Sequence, residues 1–444
     1  MAGEDRLSSL PSELKVSILS RLSVKDAVRT SILARSWHHL WTFRPRLSLG
    51  SYLDPLGDTG NINGRVASSW IERVHHVVSS LRGPLLHFAL SDTFLPDQSA
   101  LLQRLLYLLH SKGCLERLHL STGYSLFDRV EIHLPSFHSL KELQLCNCRI
   151  VLPTGFQGFI GLSTLSLQFV QISNHDLNLL IHISNSLTTL ECTDIKPSKD
   201  QFFSIKLSLP SLRYLKFYIN CNIRTLEVVS APCLEHAYIW NCGYSDLEKF
   251  TSLTLGLVTS VVMVSSLDLE FDVLKPLSLA ALPSNFTFPG VRKLKLRLTI
   301  QTMDKRIYDA FLWLLRSMLF LEELTIEVAD ILSDATRVDV QMKELFSTKH
   351  NGLSCLDKTL KTLTIDMEDL VSVTSVMTRI TFVKFFMLNA RALELMNVVY
   401  WTDSELTLNI IEELQKAKVT TSSKANVVII RQIENVTDNV VIRL

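Results

Sequence analysis

The feature that most narrows what this chain can fold into is a phrase that keeps returning. The pattern L-x-x-L-x-L, with other apolar residues allowed, occurs at Leu115-Leu118-Leu120, Leu140-Leu143-Leu145, Leu162-Leu165-Leu167, Leu187-Leu190-Cys192 and Leu212-Leu215-Phe217, with starts 22 to 25 residues apart. It returns less regularly at Ile223-Leu226-Val228, Leu234-Ala237-Ile239, Val291-Leu294-Leu296, Leu321-Leu324-Ile326 and Leu360-Leu363-Ile365. The closing L-x-L alternates with the two-residue period of a strand, so one side of each short strand is apolar. A single such unit cannot bury that side alone. Stacked neighbours complete a continuous core, which makes a solenoid the expected answer.

The period is that of leucine-rich repeats. The expected fold class is α/β: a repeat solenoid with a curved, largely parallel sheet. Helices at Ser99 to Ser111 and Arg306 to Met318, or turns opened by Pro135, Pro210 and Pro289, would link the strands. Before the repeats, residues 48–65 are rich in Gly and Asn and read as a linker or long loop. Val66 to Leu81 carries Trp70, Val74, Val77, Val78 and Leu81 on one side of a helix that Gly83-Pro84 ends, and Leu85 to Leu90 reads as the first strand. Near the end, Val371 to Leu388 reads as a helix against its many β-branched residues, and Ala425 to Arg431 as a closing strand.

The N-terminal stretch has a different grammar. Pro11 suits a helix's first turn, and Leu14, Ile18, Leu19 and Leu22 follow at helical spacing. Ser23 and Asp26 have the spacing of a capping box for a second helix with Ala27, Val28, Ile32 and Leu33 on its apolar side. Ser36 can cap a third helix carrying Trp37, Leu40 and Trp41, which Pro45 ends. A unit of this size cannot bury so many large side chains by itself, and two or three left outside form an unused binding patch.

Leu10-Pro11, Leu14, Ile18-Leu19, Leu22, the run Lys25-Asp26-Ala27-Val28 and Trp37-x-x-Leu40-Trp41 together resemble the F-box, the helical module that hooks a protein onto the Skp adaptor of a cullin-RING ubiquitin ligase. The resemblance implies that Leu10, Pro11, Leu14, Ile18, Leu19, Leu22, Val28, Trp37, Leu40 and Trp41 meet the adaptor. Where the plant-type family commonly carries a basic pair before the tryptophan, Ala34-Arg35-Ser36 keeps one basic residue. At the other end, Cys355 to Lys361, and Phe385 followed by Asn389-Ala390-Arg391-Ala392-Leu393-Glu394 and Met396, look like the FBD region that closes many plant F-box proteins with leucine-rich repeats. The domain reading is therefore F-box at 1–48, repeats at 49–354 and an FBD-like region at 355–444 that caps the solenoid.

Composition and motifs exclude more than they suggest. A formal charge of +1 gives no global pull toward nucleic acid or an acidic membrane. No apolar run approaches a membrane span, no export signal follows Met1, and eight cysteines in a chain of 444 fit a reducing compartment, so a cytoplasmic or nuclear protein is expected. There is no phosphate-cradling glycine loop, nucleophile elbow or H-E-x-x-H, so no enzyme and no cofactor are expected. Cys146-Asn147-Cys148 has no second pair at zinc-finger spacing, and Cys148 and Cys242 fall three residues past a repeat strand, where a buried side chain fills the turn.

The face for a protein target follows from strand alternation. His119, Gln144, Ser166, Gln168, Thr325 and Glu327 flank the inward leucines, and so do Lys216, Tyr218, Tyr238, Trp240, Lys295 and Arg297, the candidate target-binding set. Aromatics on an otherwise polar face mark binding hot spots. The basic strand Arg292, Lys293, Lys295 and Arg297 is opposed one unit later by Glu322, Glu323 and Glu327, which points to mutual neutralisation. The resemblance implies a substrate-recruiting subunit of an SCF-type ligase. A protein-binding scaffold that does not assemble into a ligase is the rival that the single basic residue favours. A small-molecule co-receptor would need basic residues converging on one pocket, and the sequence shows no such cluster.

Overall fold

The structure is a computed structural model, and it describes residues 7, 9–50, 64–94, 96–123, 129–198, 202–220, 222–241, 247–270, 273–299, 304–329, 345–346, 353–367, 373–401, 411–418, 424–432 and 440–443. Its chain contacts divide it into two compact units, Met1–Leu212 and Arg213–Leu444. No described helix is long and apolar enough to cross a membrane.

The first unit opens on the helical module. Helix α1 (Ser12–Leu19) begins directly after Pro11, whose carbonyl accepts the first helical bond from Lys15 N at 3.1 Å. Helix α2 (Val24–Arg29) is capped by Ser23, whose Oγ accepts from Asp26 N at 3.0 Å and donates to the Asp26 carboxylate at 2.9 Å. The third helix expected from the sequence does not form. Two single 3-10 turns, Arg35–Trp37 and Leu40–Phe43, take its place, because His39 between them has φ 66° and breaks the helical path. Leu19, Ala27 and Trp37 make the module's small core, with Ala34, Leu40 and Trp41 packed on it.

Strand β1 (Arg46–Gly50) follows at once, with Leu47 and Leu49 turned inward. It precedes Leu85–Leu90, so the stretch expected to be the first strand is the second, β2 (His87–Ser91), and residue 48 lies inside a strand rather than a linker. The junction is braced from both sides. Arg44 donates through Nη2 to Leu22 O at 2.7 Å, and Pro45 O accepts from Leu86 N and His87 N at 2.8 and 3.0 Å. At Gly83 a Cβ would stand 2.8 Å from Phe43 Cα, so only glycine lets the chain leaving helix α3 (Gly64–Ser80) lie this close.

After α4 (Ser99–Ser111) the strands are β3 (Arg117–Ser121), β4 (Val130–His133), β5 (Glu142–Cys146), β6 (Cys148–Val151), β7 (Thr164–Gln168), β8 (Gln171–Ile172), β9 (Thr189–Thr193), β10 (Lys196–Pro197) and β11 (Phe203–Ser208). The sheet order β1-β2-β3-β5-β7-β9 is parallel throughout, with Leu118, Leu143, Leu165 and Leu190 in one register row. The turns after these strands pair among themselves as a second short sheet, β10-β8-β6-β4. Two interleaved parallel sheets enclose one leucine core.

The second unit holds β12 (Tyr214–Ile219), β13 (Ile223–Ser230), β14 (His236–Asn241), β15 (Ser266–Glu270), β16 (Lys293–Thr299), β17 (Glu323–Ala329), β18 (Thr362–Met367), β19 (Leu395–Trp401), β20 (Asn426–Gln432) and β21 (Val440–Arg443). From β12 the order runs β14-β15-β16-β17-β18-β19-β20-β21, parallel except for the last pair, which is antiparallel. The expected repeat at Ile223-Leu226-Val228 is not part of this sheet: β12 pairs directly with β14. Leu226 follows Leu215 by 11 residues, about half the spacing of the regular repeats. A further unit, Val264-x-x-Leu267-x-Leu269, supplies β15. Residues after 354 extend the sheet through β18, β19 and β20, and β21 lies along its last edge. Helix α5 (Lys305–Ser317) and helix α6 (Val373–Asn389) pack around interlocked rings of Tyr308, Phe311, Phe346, Phe382 and Phe385, with Phe346 5.0 Å from Phe382 and 5.3 Å from Phe385.

Candidate binding surfaces

On α1 the inward positions are Lys15 and Leu19, so the residues one step before them are turned away from the module's core. Leu14 is 52% exposed, Ile18 and Leu22 follow at four-residue steps, and both remain open. Val28 on α2 adds to them. Ile32 at 85% and Leu33 at 74% are more exposed still. Their sequence spacing puts those two on a helix's apolar side. The helix ends at Arg29, and a 3-10 turn over Thr30–Ile32 carries them outward instead.

Leu19 and Trp37 are corrections in the opposite direction. Both are buried, Trp37 under the Lys15 ammonium 5.7 Å from its ring centre, so they hold the module together and present no surface of their own. Leu40 and Trp41 are half-buried on the same core, Leu10 is half-buried, and Pro11 is exposed. What remains outside is a run of aliphatic side chains on consecutive short elements, larger than the scattered single hydrophobics of an ordinary surface.

In the second unit the six candidate target residues fall on β12, β14 and β16. Lys216 is in register with Tyr238, its ammonium 5.0 Å from the ring centre. Tyr218 is in register with Trp240, their rings 4.7 Å apart and nearly perpendicular. These four form one contiguous group. Lys295 and Arg297 are separated from it by β15, which brings Asp268 and Glu270 into the same rows. The signal for those two acids was Leu267-x-Leu269 itself.

Tyr238 donates its hydroxyl to the Glu270 carboxylate, and burial together with that carboxylate pushes its pKa up. Burial also raises the Asp268 carboxyl, against the pull of Lys295 and His236. Burial works against the charge on Lys295, but its bond to Glu327 at 2.5 Å and the nearby Asp268 and Glu270 outweigh that and raise its pKa. Arg292 meets Glu322 at 2.5 Å and Lys293 meets Glu323 at 2.8 Å, so the basic strand is laced to the acidic one beside it. Exposed pairs of this kind add ~0–1 kcal/mol each and mainly cancel charge.

The first unit's sheet face is polar and hydrogen-bonded along its rows. His119, Gln144 and Ser166 stand in register, with Gln144 donating to Glu142 at 2.9 Å, Gln168 to Ser166 at 3.2 Å and Ser166 to Glu191 at 3.1 Å. At the β1 end this face holds a hollow of about 240 Å³ whose lining includes Arg46, Ser48, His87, Arg117 and His119 together with Glu142, which pairs with Arg117 at 3.3 Å. Basic residues therefore do converge on one pocket, contrary to the sequence reading. The sequence places the linker at residues 48–65 and assigns no strand to Arg46, so nothing in it sets Arg46 beside His87 and Arg117.

Cys148 is fully buried in β6 and burial pushes its thiol up to about 12, as it does for Cys192, so neither is a thiolate at neutral pH. Cys242 lies outside the described residues. Among the described residues no three His, Cys, Asp or Glu side chains are grouped to hold a metal ion.

Comparison with known proteins follows the same division. The family model for the F-box domain matches residues 7–48, and one for the LRR repeats of FBD-associated F-box protein At5g56370 matches residues 102–276. The chain is 29% identical over 248 residues to the F-box/FBD/LRR-repeat protein At1g13570 of Arabidopsis thaliana, covering 55% of this chain and 56% of that one. It is 25% identical over 288 residues to the F-box/FBD/LRR-repeat protein At2g04230 of the same plant, covering 56% and 62%. A 48-residue stretch is more alike: it is 54% identical to the F-box protein At1g60400 of Arabidopsis thaliana, over 11% of this chain and 12% of that one. The matches thus span little more than half the length of the longer relatives. Exposed aliphatic side chains on an N-terminal helical module, stacked parallel repeats and these matches give one conclusion: the chain carries an F-box domain and FBD-associated leucine-rich repeats, and it is similar to F-box/FBD/LRR-repeat proteins of Arabidopsis thaliana.

Proposed function

We propose that the chain is the substrate-recognition subunit of an SCF-type ubiquitin ligase acting in the cytoplasm or nucleus. The observation that carries this reading is the exposure of Leu14, Ile18, Leu22, Val28, Ile32 and Leu33 on a module whose family model is the F-box. Burying a large aliphatic side chain is worth ~1.5–3 kcal/mol, so a few of these suffice to hold a Skp adaptor and, through it, the cullin scaffold. The repeat sheet offers a protein target its polar rows and the Lys216, Tyr218, Tyr238, Trp240 group. The chain supplies recognition, and the transfer of ubiquitin is chemistry done by its partners.

Purified Skp adaptor tests this. The wild-type chain is expected to capture it, and the double variant Leu14→Ala/Ile18→Ala to lose capture while the repeats keep their helical and strand signal. Failure of the wild type to capture any Skp adaptor favours the scaffold reading, to which Ser36 in place of a second basic residue lends support.

A further inference from the structure

Strand β15 sets two acids beside the aromatic group of the second unit. Lys216, Tyr238, Asp268 and Lys295 stand in one register row, and Tyr218, Trp240 and Glu270 in the row next to it. All seven are half-buried. Parallel strands run ~4.8 Å apart and same-face rows ~6.6 Å apart, so Tyr238, Trp240, Asp268 and Glu270 lie within reach of one incoming side chain.

These two acids differ from the acids around them. Glu235 meets Arg213 at 3.4 Å, Glu322 meets Arg292 at 2.5 Å and Glu323 meets Lys293 at 2.8 Å. Glu327 takes Lys295 at 2.5 Å and Arg297 at 4.0 Å. Lys295 stands in register with Asp268, yet its ion pair is with Glu327. Among the described residues neither Asp268 nor Glu270 makes an ion pair, and Glu270 accepts only from the Tyr238 hydroxyl. Burial holds the Asp268 carboxyl above its ordinary range. A carboxylate drawn partly out of water without a donor is costly, and a cation arriving beside it offsets that cost. The ring side suits the same visitor. The Lys216 ammonium already lies over the Tyr238 ring, 5.0 Å from its centre, so this face holds a cation against an aromatic in the free protein.

We propose that Tyr238, Trp240, Asp268 and Glu270 receive an arginine side chain carried on a basic segment of the protein target. A guanidinium is planar, stacks on an aromatic ring, and presents a fork of N–H donors to a carboxylate. Tyr218, its ring 4.7 Å from that of Trp240 and nearly perpendicular, braces the indole. An apolar side chain would cover both acids and leave them unpaired, and an acidic one would be repelled. A lysine ammonium would pair with one acid as a point charge, without the flat contact. This inference rests on the reading that the repeat sheet holds a protein target, and it is independent of adaptor capture.

The test is equilibrium binding to the full chain of a capped peptide, Ala-Arg-Ala-Arg-Ala, beside versions carrying lysine or citrulline at both arginine positions. Citrulline keeps the shape and removes the charge. The arginine peptide is expected to bind, the lysine peptide more weakly, and the citrulline peptide at least tenfold more weakly. The double variant Asp268→Asn/Glu270→Gln keeps an acceptor for the Tyr238 hydroxyl and is expected to weaken the arginine peptide at least tenfold. Glu322→Gln/Glu323→Gln removes as much charge from acids that are already paired, and is expected to leave binding within twofold of wild type. No binding of the arginine peptide, equal binding of the lysine or citrulline peptide, or an equal loss in the two double variants overturns the proposal. Skp adaptor capture by Asp268→Asn/Glu270→Gln stays as in wild type, so failure here is distinct from failure of the ligase reading.

Discussion

The F-box module and the repeat units are both rich in leucine and use it in opposite ways. In β12 the alternation Leu215, Phe217, Ile219 turns every apolar side chain into a core that the next strand continues, and all three are fully buried. In α1 the helical spacing puts one apolar residue, Leu19, inward and leaves Leu14 and Ile18 outside. A stacked sheet can recruit neighbours from its own chain to complete its core. A module whose described core cluster is Leu19, Ala27 and Trp37 has few such neighbours, so its remaining apolar surface is available to another protein.

That contrast can be broken by substitution. Leu215→Ala leaves a cavity in a closed core and is expected to cost ~2–5 kcal/mol, read as faster amide exchange in β12 and in β14 beside it. Comparable exchange in variant and wild type would mean the repeat core is looser than its packing indicates. Ser23→Ala removes the α2 cap and is expected to cost ~1 kcal/mol, confined to amides of Val24–Arg29. An effect reaching the repeat strands would show that module and repeats unfold as one.

The repeats were legible wherever local pattern alone decides structure. Ser99–Ser111 formed with the boundaries read from sequence, and β5, β7 and β9 followed their leucines. Errors arose where a pattern fits two structures. Trp37, Leu40 and Trp41 satisfy helical spacing, yet His39 turns left-handed between them. Ile223-Leu226-Val228 satisfies the repeat phrase at the wrong period. The short sheet β10-β8-β6-β4 has strands of two to four residues, below any periodicity signal. The candidate sites were less legible than the fold. The aromatic group followed from alternation alone, but Asp268 and Glu270 needed the overlooked strand, and the basic hollow needed the pairing of Arg46, His87 and Arg117 across two crossovers.

The central claim is that the exposed aliphatic side chains of the module, and not the repeat sheet, meet the adaptor. Amide exchange of the full chain with and without Skp adaptor measures this directly. Slowed exchange from Ser12 to Leu33, with β2 to β9 and β12 to β20 unchanged, is the result this account requires. Slowing on the repeat sheet with none in the module would contradict it.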